Sequence, residues 1–278
     1  MERHMSETRE FSFGDDSVAG AYDNALVPVL FEPWAARLVE EYRPWEGRRV
    51  LDLATGSGIV AQLLAGQVGP HGKVLAADIN GEMLELARKR CAGLTPPVEF
   101  TESPAHPLEI DSDSVDVVVC QQGFQFFPDK RAAAAEVYRV LCDGGRIIVT
   151  TWRPVVECQF FGTICNSLNA IGEPEISDMM RVPFDAMPES ELTAHFEAAG
   201  LVNVRLRQQE RDLVIGGGVT HAVEVAYSTP IGPKLLALPD ERQVHFKRTL
   251  TELLDKLSDD GITMGRMVSN VLLAEKPA

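Results

Sequence analysis

Apolar and polar positions change their period several times along the chain. From 17 to 43, Leu26, Val27, Leu30, Phe31, Trp34, Leu38 and Val39 form a stripe at helical spacing around Pro28 and Pro33, which predicts helices. Short apolar runs then alternate with helical patterns. RRVLDLA (48–54), KVLAADI (73–79), VEFTES (98–103), VDVVVCQQ (115–122) and RIIVTTW (146–152) read as strands. GIVAQLLAGQV (58–68), MLELARKRCAGL (83–94) and DKRAAAAEVYRVL (129–141) read as helices, the last followed by DGG, a turn signal. VDVVVCQQ is apolar along most of its length, with an unbroken run at 117–120, and suits a strand buried on both faces. Repeated strand–helix units of this length predict an α/β fold, with a doubly wound parallel sheet between two helix layers.

The second half is less regular. Residues 153–187 hold several Pro, Gly and Met and read as an insertion. PESELTAHFEAAG (188–200) is a helix ended by Gly200, and LVNVRLRQQERDLVI (201–215) is a long strand. GGG at 216–218 breaks the chain. Two helices are expected near 219–228 and 239–258, and GRMVSNVLLAEK (265–276) makes a final strand. The implied organisation is an N-terminal helical segment or lid (1–47), a core (48–152) and a cap (153–187). A C-terminal part (188–278) returns to the sheet around a helical insertion near 216–260.

Charge narrows the partners. The chain carries 26 Lys and Arg against 41 Asp and Glu, a net charge of -15 over 278 residues. That argues against a nucleic-acid partner, which needs clustered cations. RKR at 88–90 is the one compact basic run and reads as a solvated helix face. An acidic surface suits a soluble cytoplasmic protein. No apolar run approaches the roughly 18 residues of a membrane span, so stable membrane insertion is not expected. The N-terminus MERHMSETRE is polar and mixed in charge, unlike a signal peptide, and Met5 offers an alternative native start. Five cysteines (91, 120, 142, 158, 165) without CxxC read as reduced thiols. Six scattered histidines without HxH or HExxH predict no metal site.

The stretch VLDLATGSGIV (50–60) carries the candidate chemistry. Asp52 lies near the end of the first strand, and Ala54, Thr55, Gly56 and Gly58 lead into a helix. Small residues let backbone approach a ligand, and a helix N-terminus offers free N–H groups. In an open α/β sheet, ligands bind at the strand carboxyl ends. Asp78 ends the second strand, where a carboxylate can accept both hydrogen bonds of a ribose diol. Gly56-Ser57-Gly58-Ile59-Val60-Ala61 also satisfies the dinucleotide pattern G-x-G-x-x-A, so the loop alone leaves NAD open. Asp52 counts against NAD: its charge would face a pyrophosphate but would suit the ammonium of an amino-acid tail.

Residues 48–152 resemble a class I S-adenosylmethionine (SAM)-dependent methyltransferase, of the small-molecule type that includes the ubiquinone and menaquinone C-methyltransferases. VLDLATGSG resembles the first motif of that family, and ADINGEMLELAR (77–88) the second. The run from DSVDVVVCQQGFQFF to RIIVTTW resembles its fourth and fifth strand blocks. The resemblance implies a Rossmann-like sheet of seven strands with a reversed last strand and helical lid insertions. It implies S-adenosyl-L-methionine as cofactor and S-adenosyl-L-homocysteine as product, with Asp78 on the ribose, Met83 beside the adenine, Ile79 also in the cofactor site, and the sulfonium tail over the 54–58 loop near Gln121. One departure stands out. The family has an acidic residue before Ala after the third strand, and here Ser103 is followed by Pro104 and Ala105. The adenine amino group must then find Ser103 Oγ, a carbonyl or water, while Ala105 N–H reaches a ring nitrogen.

Methyl transfer from a sulfonium mainly needs alignment of donor and nucleophile and exclusion of water. A base helps if the acceptor is a hydroxyl or an acidic carbon. His221, after GGG, and Tyr22 are candidates, Gln122 offers an amide beside Gln121, and His195 reads as packing. Phe124, Phe126 and Phe127 are candidate covers for an apolar acceptor. Phe160, Phe161, Met179, Met180, Phe184 and Met187 make 153–187 a candidate substrate-shaping lid. The reading is a methyltransferase for a small, apolar or aromatic acceptor at O, N or C. Two alternatives stand beside it: an NAD-dependent oxidoreductase, and a SAM-binding protein of the same fold without turnover. A homodimer is left open.

Overall fold

The computed structural model describes residues 16–185 and 187–278. Met5, His4 and the rest of the N-terminal reading lie outside the described residues. The chain starts with α1 (Asp16–Ala25), a π-helical turn (Val27–Phe31) and α2 (Glu32–Glu41). Pro28 lacks an N–H to donate, and Glu32 N–H reaches back to Val27 O, which widens the turn. β1 (Arg49–Leu53), α3 (Ile59–Ala65), β2 (Lys73–Asp78), α4 (Gly81–Arg90), β3 (Val98–Glu102), β4 (Val115–Gln121), α5 (Lys130–Val140) and β5 (Leu141–Trp152) follow. Then come α6 (Gln159–Ala170), α7 (Pro174–Arg181), α8 (Glu189–Ala198), β6 (Val202–Gly216), α9 (Gly218–Tyr227), α10 (Gly232–Leu236) and α11 (Asp240–Leu254). β7 (Ser258–Asp259) and β8 (Ile262–Glu275) complete the order.

The strands lie in the order β3-β2-β1-β4-β5-β8-β6. β3 to β5 are mutually parallel, and β8 is antiparallel to both β5 and β6. The reversed last strand is therefore present. The described sheet has eight strands where seven were expected, because the short β7 pairs with the start of β8 off the main path. DGG is not a turn before a fresh strand. It lies within β5, whose ladder to β4 shifts register between the pairs Val115–Leu141 and Val117–Arg146.

Alternation along the strands builds a core on each face. Val50, Val117 and Val119 face α2 and α3, while Leu51, Val118 and Cys120 face α5 and α8. A third core lies among α6, α7, α9, α10 and α11 and the ends of β6 and β8. Residues 153–187 belong to that core: Phe160, Phe161, Ile164, Cys165 and Leu168 recur at helical spacing on α6 and are all buried. This segment is a packed helical layer over one end of the sheet, where a less regular insertion was expected. Among the described residues, no helix is long and apolar enough to cross a membrane.

Candidate functional site

At the carboxyl ends of β1, β2 and β4, the helical layer leaves a cavity of about 770 Å³. The β1–α3 loop forms its floor. Asp52 is buried, and its Oδ2 accepts from Thr55 Oγ1 at 2.6 Å and from Ala61 N–H at 3.0 Å. Burial pushes this carboxyl up to about 7. The Thr55 and Ala61 hydrogen bonds pull against that, and the nearby Asp78 charge adds to it. Ala54 takes a left-handed φ of 58°, uncommon for a residue with a Cβ. At Gly56, φ is 55° and a Cβ would meet nothing within 4 Å, so open space lies over this peptide. Asp78 accepts from Gly56 N–H at 2.8 Å and from Asn80 N–H at 2.9 Å. A carboxylate has lone pairs left after two such bonds. Burial holds the Asp78 carboxyl above its ordinary value, against the Asn80, Gly56 and Ile79 N–H groups.

Of the residues assigned to a cofactor, Asp52, Ala54, Thr55, Gly56, Asp78, Ile79, Met83, Ser103, Ala105 and Gln121 all line the cavity. Gly58 does not. It starts α3 at φ 84°, and a Cβ there would lie 2.8 Å from Ala87 Cβ. Its hydrogen side chain lets α3 and α4 approach, so Gly58 acts through packing. Ile79 is 70% exposed, a large apolar side chain in the cavity wall. Ser103 Oγ is largely committed: it donates to Pro104 O at 2.9 Å and accepts from Glu109 N–H at 2.9 Å. One lone pair remains for an amino group.

Tyr22 lines the cavity from α1, its ring 5.2 Å from Phe31. Burial, with the charges of Asp23 and Asp78, raises its phenol above the ordinary value. That shift favours the protonated phenol. His221 is exposed, faces Glu224 Oε2 at 3.1 Å and lies outside the cavity lining, because α9 turns it to solvent. In this structure it is therefore not placed beside the cavity. His195 sits edge-on to the Phe124 ring at 6.1 Å, as packing requires. Phe126 and Phe127 line the cavity, but Phe124 is 1% exposed and packs on Phe196 beneath α8.

The other half of the cavity is apolar. Leu26, Leu30, Phe31, Trp152, Phe161, Met180, Pro183, Phe184, Thr229 and Pro230 close it. Phe161, Met180 and Phe184 belong to the anticipated lid set. Phe160, Met179 and Met187 do not line the cavity, and Phe31, Trp152, Thr229 and Pro230 went unforeseen. Among the described lining residues there is no Lys or Arg. Arg90 was also misjudged as solvated. It donates to Ser57 O at 2.8 Å and to Asp23 Oδ1 at 2.5 Å, tying α1 to the glycine loop. Gly123 was missed too: a Cβ there would lie 2.5 Å from Ala54 Cβ, so glycine lets the β4 loop approach the β1 loop.

The open space over Gly56, the exposed Ile79 and an unpartnered buried Gln121 Oε1 fit a nucleoside with an amino-acid tail. A methyltransferase-domain family model matches residues 50–145. A demethylmenaquinone methyltransferase of Clavibacter sepedonicus is 32% identical over 212 residues, covering 72% of this chain and 85% of that protein. The Staphylococcus aureus (strain JH9) demethylmenaquinone methyltransferase is 28% identical over 204 residues, covering 69% and 84%. The Haemonchus contortus phosphoethanolamine N-methyltransferase 2, solved with S-adenosylhomocysteine, shares the fold. Its TM-score is 0.60 at 16% identity, over 95% of this chain and 58% of that one. Neither the NAD-dependent nor the non-catalytic alternative is favoured by these likenesses. The chain belongs to the SAM-dependent methyltransferases, and S-adenosylmethionine is its methyl donor.

Proposed function

We propose that the methyl acceptor is a neutral, planar, apolar molecule with an aromatic ring. One observation carries this reading: the cofactor half of the cavity opens directly into a half walled by Phe31, Trp152, Phe161, Met180 and Phe184. Aromatic walls and Met favour flat apolar ligands. The lack of Lys and Arg in the described lining disfavours a phosphorylated or carboxylated acceptor. The relatives' names put a demethylated menaquinone ring first among the acceptors to test.

In this reading, Asp78 takes the ribose diol and Ile79, Met83 and Ala105 flank the adenine. Asp52 and Gln121 receive the amino-acid tail over the 54–58 loop. When bound, the cofactor supplies a methyl group on a positive sulfur. The chain's own part is alignment and exclusion of water. Tyr22, its phenol held above the ordinary value by burial, is read as a positioning group. Among the described residues that wall the apolar half there is no carboxylate or imidazole, so in this reading the acceptor brings an acidic proton or a ready nucleophile. Five unpaired cysteines and the acidic balance support a cytoplasmic setting.

The test is methyl transfer from labelled SAM to a panel of 1,4-dihydroxynaphthalenes, aliphatic amines and phosphorylated amines. Label in the naphthalenes alone supports the reading. Label only in the amines overturns it.

A further inference from the structure

We infer that Gln122 selects methyl acceptors that carry an O–H or N–H donor, by accepting a hydrogen bond from it on its side-chain oxygen. The inference rests on the aromatic-acceptor reading above. Gln122 is 5% exposed and lines the cavity. Its φ of 57° is left-handed, a conformation costly for a residue with a Cβ and concentrated at functional sites. The fold holds it there, since Gln122 N–H donates to Thr150 O at 3.0 Å and faces Thr150 Oγ1 at 3.2 Å.

The orientation of its amide follows from the surrounding bonds. Gln122 Nε2 lies 3.0 Å from Ser269 Oγ. Ser269 has one proton, and that hydroxyl sits 2.9 Å from both Thr151 O and Asn270 O. The proton goes to a carbonyl, so Ser269 Oγ must accept from Gln122. Flipping the amide would set two acceptors face to face. The buried Oε1 is therefore the oxygen left without a partner.

The same residues say which ligand it meets. Thr150 and Ser269 belong to β5 and β8, and β5 ends at Trp152, a wall of the apolar half. The neighbouring Gln121 donates through its amide to Phe31 O at 3.2 Å, so its amide has a different anchor. A cationic tail already has Asp52. The partner left for Gln122 Oε1 is a neutral hydroxyl or amine on the acceptor ring. A ring with such a donor gives this already buried oxygen a partner, which is worth about tenfold in affinity over a ring without one.

The experiment is calorimetric titration of the full chain, saturated with S-adenosylhomocysteine, with 1-naphthol and 1-methoxynaphthalene. The wild type should bind 1-naphthol about tenfold tighter. Gln122→Met should bring the two within about twofold, with affinity for S-adenosylhomocysteine retained as the check on folding. Ser269→Ala frees the amide to rotate and should narrow the gap as well. An undiminished gap in Gln122→Met overturns the inference. So does a loss of S-adenosylhomocysteine affinity with the gap intact, which would assign Gln122 to the cofactor. If neither naphthalene binds the loaded wild type, the aromatic-acceptor reading fails and takes this inference with it.

Discussion

Replacing Asp52 with Asn tests how the cofactor's tail is held. In the free protein, burial lifts the Asp52 carboxyl from an ordinary 3.8 to about 7. An ammonium placed beside it favours the ionised form and lowers that value again. The free protein then holds the Asp52 proton more tightly than the complex does. Binding of S-adenosylhomocysteine must release a proton below pH 7, and affinity must fall as pH falls. With the bound-state value well below 6, affinity drops about twofold at pH 7 and about tenfold at pH 6, relative to pH 9. Above about pH 8 the dependence vanishes. Asp78 is raised by burial as well and acts in the same direction, so the variant isolates the Asp52 share. The assay is calorimetry at pH 6.5 in two buffers of different ionisation enthalpy. The wild type should release about three-quarters of a proton more than Asp52→Asn. Equal release in the two proteins would refute the pairing of Asp52 with the tail.

Other outcomes follow from the same geometry. Asp78→Ala removes the acceptor for the ribose and unpairs Gly56 N–H, and should weaken S-adenosylhomocysteine binding at least about tenfold by titration. Gly58→Ala forces a Cβ against Ala87 at a left-handed φ, and should lower stability by about 1–3 kcal/mol in urea unfolding. Phe161→Leu trims a wall of the apolar half, and should raise the acceptor's KM about tenfold while S-adenosylhomocysteine affinity stays within about twofold.

Much of the cofactor half was legible from the sequence, because its parts are neighbours within β1–α3 and β2–α4. The interval between Gly56 and Asp78 spans α3 and β2, and the fold closes it into a single hydrogen bond. Gly58 was legible as a turn residue but not as a helix-packing residue, since Ala87 arrives from α4. Phe124 and Phe126 share a three-residue helical turn, so nothing local separates the buried ring from the cavity ring. His221 follows a glycine run, which sets no direction for the helix after it.

Period and spacing alone determined the alternation of strands and helices, the nucleotide loop and the carboxylate on β2. These depend on side chains a few residues apart, whose faces are set by backbone geometry. Only the tertiary structure decided the acceptor half. Phe31, Trp152, Phe161, Phe184 and Thr229 come from five separate stretches and converge where the helical layer meets the strand ends. The Gln122 amide is oriented by Ser269, 147 residues away. Such positions answer to packing and to hydrogen-bond satisfaction across the whole molecule, and neither is encoded in a local pattern.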